Sequence, residues 1–183
     1  MRQSISMDVW MRRLEEEKLA ILAEVRAWPA DLQVARPAAG KWSALQVLDH
    51  LVRTEAGITT AAKEQLSKPQ RIGVRDRAGF LFVERVFRSR CRVQMPRSVA
   101  QVITPGEELE LGEIAARWER ARAQLAELVC EAEGCRGGVF RHPVGGWMNF
   151  EQVLRFFSVH LVHHRYQLER IRSSLAGATS QSR

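Results

Sequence analysis

The chain has 183 residues, enough for one domain with a sizeable core, and a hydrophobic fraction of 45% excludes a disordered composition. Its net charge of +7 is concentrated, because eight arginines lie between Arg71 and Arg97 against only Asp76 and Glu84. No apolar run approaches bilayer length and the N-terminus shows no apolar secretory segment, so a cytoplasmic protein with no membrane contact is expected.

The first helical pattern runs from Met7 to Trp28, with Trp10, Leu14, Ile21, Val25 and Trp28 on one stripe; Pro29 ends it because it lacks the next ladder donor. The second starts at Ser43, where Ser43 and Gln46 have capping-box spacing, and Val47, Leu48, Leu51, Val52, Ile58, Ala62 and Leu66 carry it to a stop at Pro69. A shorter helix with Phe80, Val83 and Phe87 on one side is expected over 78–91. The third long pattern is clearest from Ile114 to Val129. Its entry is ambiguous, because Thr104-Pro105 resembles a cap while Gly112 favours a later start. The fourth begins near Asn149, with Gln152 at the capping-box spacing, and runs to about Leu175. Residues 1–175 thus read as one domain and 176–183 as a disordered tail.

No segment alternates with period two between hairpin turns, so almost no sheet is expected. Four long amphipathic helices with a crossover of roughly 40 residues between the second and third make an all-α four-helix bundle in which those two can run parallel. Cys91, Cys130 and Cys135 are odd in number and lack Cys-x-x-Cys spacing, which reads as free thiols. The basic crossover has neither a glycine–aromatic RNA motif nor a helix-turn-helix, so nucleic acid is not expected as a partner. Arg85, Arg88 and Arg92 are candidates for gripping an anionic small molecule.

Two histidines interrupt the core stripe of the fourth helix, Val153, Phe157, His160, His164, Leu168, Ile171. Residues four apart project from one side of a helix, so both imidazoles can converge on one ion. His50 stands with Val47 and Leu51 on the inward side of the second helix and can complete the set. A lone inward histidine is ordinarily satisfied locally. Three together would each carry a polar burial cost that a divalent ion removes at once. Three imidazoles also leave a coordination position open, as catalytic sites do, and nitrogen donors suit Zn2+, Ni2+ or Fe2+. Thr54, His163 and Gln167 are candidates for supporting the ligand rings. No Glu follows His160, so the base of the zinc-helix proteases is missing.

Pro37-Ala-Ala-Gly40-Lys-Trp42-Ser43 leading to His50-Leu51 and Glu55, followed by His160-x-x-His163-His164-x-x-Gln167 and Arg170-Ile171, resembles the DinB-like superfamily of metal-binding helical bundles. The resemblance spans nearly the whole chain. It implies an up-down-down-up bundle with a short extra helix on the crossover, a metal held by His50, His160 and His164, often nickel or zinc, and commonly a homodimer. Several such proteins are S-transferases that use low-molecular-weight thiols such as bacillithiol or mycothiol in stress response or detoxification. Others are metal-dependent hydrolases. The leading expectation is an S-transferase acting on a thiol and an electrophile, with a hydrolase or a non-catalytic metal- or partner-binding bundle as alternatives.

Overall fold

The computed structural model describes residues 2–90 and 104–181. In chain order the elements are α1 (Arg2–Arg26), a short α2 (Ala30–Val34), α3 (Ala44–Leu66), α4 (Val74–Arg88), α5 (Leu111–Glu131), the antiparallel strands β1 (Phe140–His142) and β2 (Gly146–Met148), and α6 (Phe150–Gln181). The fold is an all-α helical bundle, as expected.

Reciprocal caps start the two histidine-bearing helices. Ser43 Oγ accepts from the Gln46 amide at 3.3 Å while Gln46 Oε1 accepts from the Ser43 amide at 3.1 Å. Asn149 and Gln152 make the same exchange at 2.9 and 3.0 Å. Each pair satisfies donors that the first helical turn leaves without an intrahelical partner.

Polar ladders between helices fix their directions. Asp49–Arg117 at 2.5 Å, Glu55–Arg122 at 3.0 Å and Lys63–Glu131 at 3.2 Å rise together, so α3 and α5 are parallel. Ser158 donates to Glu17 at 3.1 Å and Arg165 pairs with Glu24 at 3.3 Å, so α1 and α6 are parallel. Lys18–Glu119 at 2.7 Å and Glu15–Arg122 at 3.9 Å run in opposite senses along α1 and α5. The order is up, down, down, up. The connection of roughly 40 residues between α3 and α5 is long enough to allow that order.

Leu14, Ile21 and Val25 of α1 meet Val47, Leu48 and Leu51 of α3, Ile114, Trp118 and Leu125 of α5, and Val153, Leu154 and Leu168 of α6 in one core. Among the described residues, Lys18 and Arg122 are buried cations: Lys18 is held at 2.7 Å by Glu15 and Glu119, and Arg122 is paired to Glu55.

Several boundaries differ from the sequence reading. α5 starts at Leu111 and runs through Gly112, with Glu110 at its N-cap and no part for Thr104 in capping. The backbone of Gly106 is held by α3 instead: its amide donates to Asp49 at 2.9 Å and its carbonyl accepts from Gln46 at 3.2 Å. α4 begins at Val74, four residues earlier than expected, because the Asp76 carboxylate accepts from the Gly73 amide at 2.8 Å and closes the first turn. α6 continues six residues beyond Leu175, to Gln181. Its interior Gly177 is a weak helix former, not a stop, and no proline follows it in the helix.

The hairpin is clamped to α4. Asp76 also accepts from the Trp147 amide at 3.0 Å. Gly146 has φ +71°, and a Cβ there would stand 2.3 Å from Asp76 Oδ1, so only glycine fits. Cys130 and Cys135 are free thiols; Cys91 lies outside the described residues. Among the described residues no helix is long and apolar enough to cross a membrane.

Candidate metal centre

The caps of α3 and α6 fix the register in which His50 faces His160 and His164, and the structure brings the three together. His50 Nε2 lies 3.3 Å from His160 Nε2, which lies 3.0 Å from His164 Nε2. All three rings are buried. Together they can offer one ligand atom each within a 4.8 Å span. Three nitrogens bound at ~2.05 Å to one tetrahedral ion lie about 3.3 Å apart, so the spacing fits a small divalent cation.

The protonation pattern fits as well. Burial holds the pKa of His160 well below 6.5, with the neighbouring imidazoles adding to the effect, and His164 is held low in the same way. Both rings are therefore neutral near pH 7, as metal ligands must be. His164 Nδ1 lies 2.8 Å from Gln167 Oε1, so Nδ1 carries the proton and Nε2 presents its lone pair to the cluster. Lone pairs of neutral rings that point at one another repel. A cation between them removes that repulsion.

Aromatic rings enclose the cluster. Phe156, one turn before His160, stacks on it at 5.4 Å and 17°. Phe87 of α4 stands 5.6 Å from His160 and 5.1 Å from His163. Trp42, in the turn before α3, lies 4.9 Å from His50.

The sequence profile of the DinB superfamily matches residues 9–168. The chain belongs to the DinB superfamily. No curated protein and no solved structure matches it.

Of the residues expected to support the ligands in this DinB-superfamily chain, Gln167 alone bonds a ligand ring. Thr54 is buried, but its hydroxyl has no hydrogen-bond partner, so it does not orient His50. His163 is buried. Its ring stands edge-on to His164 at 5.2 Å, its Nδ1 is unpartnered, and burial, then Arg170, lowers its pKa.

Of the arginine candidates, the two that are described, Arg85 and Arg88, do not gather at the centre. Arg85 is exposed, about 160° around α4 from Phe87, which faces the histidines. Arg88 donates to Glu84 at 3.0 Å, and Arg155 engages the same carboxylate at 2.7 Å. Arg92 lies outside the described residues. The helical period places Arg85 on the outer face once Phe80, Val83 and Phe87 are assigned inward, so the sequence carried that signal.

Asp49 was not foreseen. It is fully buried beside His50 and accepts from the Gly106 amide at 2.9 Å, Arg53 at 2.7 Å and Arg117 at 2.5 Å. Burial alone would raise its pKa, but these donors outweigh burial and hold it below 3.8. The Arg53 contact is a local pair four residues apart, but Arg117 and Gly106 reach Asp49 only through packing against α3, which no local pattern announces.

Proposed function

We propose that this protein is a metal-dependent S-transferase in which His50, His160 and His164 hold a divalent ion, Ni2+, Zn2+ or Fe2+, and a low-molecular-weight thiol is the cosubstrate. The observation that carries the reading is the convergence of three buried Nε2 atoms at 3.0 and 3.3 Å. A bound ion would supply Lewis acidity that deprotonates the thiol near neutral pH. Gln167 keeps the proton of His164 on Nδ1 and its lone pair turned inward. Burial keeps His160 and His164 neutral, so protons do not compete for the ligand nitrogens. Phe87, Phe156 and Trp42 flank the rings with apolar surface.

The transfer forms one bond and breaks one: the thiolate sulfur attacks the electrophile, the displaced group leaves with its electron pair, and the thiol proton passes to solvent. Detoxification or stress response in the cytoplasm is the role such chemistry serves. Asp49, Glu55 and Glu84 are each held by arginine, which leaves none of the three free as a general base for water.

The test is titration of low-molecular-weight thiols into the Co2+- or Ni2+-loaded protein. A thiolate-to-metal absorption band, together with consumption of an aryl halide in the presence of thiol, is expected. No spectral change, accompanied by thiol-independent ester cleavage, would move the assignment to a hydrolase. Neither signal would leave a non-catalytic metal-binding bundle. His160→Ala should lose metal retention, and unchanged metal content would remove the site.

A further inference from the structure

The basic crossover has a structural counterpart that the metal centre does not use. Helix α4 is apolar on two faces. Phe80 and Val83 point into the core, yet Val74 is 83% exposed and Leu81 and Phe82 are each 60% exposed. With Ala78, also exposed, these residues form a second stripe on the opposite side, about 12 Å long from Val74 to Phe82. The hairpin extends it, since Gly145 packs directly on Gly79 of α4 and its neighbour Val144 is 55% exposed. Singly exposed apolar residues are ordinary, but a contiguous set on one helix marks a contact surface.

The charge on this face has one sign. Every exposed residue of α4 is Val, Ala, Leu, Phe or Arg, and the arginines are Arg75, Arg77, Arg85 and Arg88. The two acids of the helix are engaged elsewhere: Asp76 holds the hairpin and Glu84 pairs with Arg88 and Arg155. Arg85 falls between Leu81 and Phe82 around the helix, at the middle of the stripe. Aromatic residues and arginine without lysine or acids are the composition of a protein-contact core. A symmetric self-contact through α4 would offer these arginines no carboxylate, because no exposed residue of the helix is acidic.

We infer that the outward face of α4 docks an acidic, amphipathic helix of another protein. Leucine-like side chains would cover Leu81, Phe82 and Val144, and a carboxylate would meet Arg85 bidentately. The back of the same helix carries Phe87 against His160 and His163, so the docked helix would lie one helix diameter from the metal centre.

The probe is a labelled synthetic helix with leucines along one face and glutamates flanking them, read by fluorescence anisotropy against the full-length protein. Controls are a scrambled peptide of the same composition and a version with lysines for glutamates. The amphipathic acidic peptide should bind at least about tenfold more tightly than either control. Phe82→Ser and Arg85→Glu, both at exposed positions, should each weaken it by about tenfold or more. Equal binding of the scrambled peptide, or variants that bind like the parent, would overturn the assignment. A dimer that Phe82→Ser dissociates in sedimentation velocity, or anionic vesicles or an oligonucleotide bound more tightly than the peptide, would do so as well.

Discussion

Replacing His164 by Leu separates what the histidine cluster costs the fold from what it offers a metal. The imidazole is buried, and its depressed pKa reports how poorly the site solvates it. Burying such a polar group costs about 1–3 kcal/mol in proteins. The Nδ1 contact to Gln167 returns about 0.5–1.5 kcal/mol, and the half-buried Gln167 can turn to water when that contact is lost. Leucine has similar volume and would pack beside His50, His160 and His163. The metal-free variant should therefore be more stable than the metal-free parent by about 1 kcal/mol, a rise in Tm of roughly 2–4 °C for a chain of this size.

Metal should reverse the order. At free metal 100-fold above Kd the parent gains about 2.7 kcal/mol, or roughly 5–10 °C, and the variant should gain none. Thermal melts of both proteins, with chelator and across a Ni2+ or Zn2+ titration, supply all four values. A variant less stable than the parent in chelator, with a metal-induced shift of undiminished size, would refute the reasoning.

Gly146→Ala should destabilise by about 3 kcal/mol or more in urea unfolding, combining the left-handed backbone with a collision against Asp76, while an alanine at Gly177, where a Cβ meets open space, should stabilise slightly. His142 accepts from the amides of Val144 and Gly145 through Nδ1, and burial lowers its pKa to about 4. Because the folded pKa lies below the unfolded value of 6.5, the unfolded chain binds the extra proton between these values. Stability should thus fall as pH drops from 6.5 towards 4, by at most about 3 kcal/mol. Denaturation midpoints of His142→Asn, which keeps an acceptor but no titration, should fall less steeply than the parent's over that window, where His160, His163 and His164 still titrate, and parallel curves would count against it. Arg122→Met alone should cost about 3–5 kcal/mol by stranding Glu55, whereas Glu55→Leu with Arg122→Met should recover most of that loss in the same assay.

The bundle was legible because its signals are local and repeated. Helical stripes, two capping boxes and prolines after Trp28 and Lys68 each depend on residues within a few positions of one another. The same periodicity put His50, His160 and His164 inward, and their four-residue spacing on α6 guaranteed that two of them shared a face. The sequence by itself therefore determined which side chains could form the centre. That His50 meets the other two at 3.3 Å depends on how α3 packs beside α6, which no segment encodes alone.

Tertiary structure also decided what the arginines do. Charge counting located the basic stretch and helical period turned Arg85 outward, but only packing brought Arg155 of α6 onto Glu84 and Arg122 of α5 onto Glu55. The pairings of Asp49 with Arg117 and of Glu55 with Arg122 were silent for the same reason: each joins residues more than sixty positions apart. Helix periodicity is written in neighbouring residues, whereas the pairing of buried charges is written only in the contact between helices.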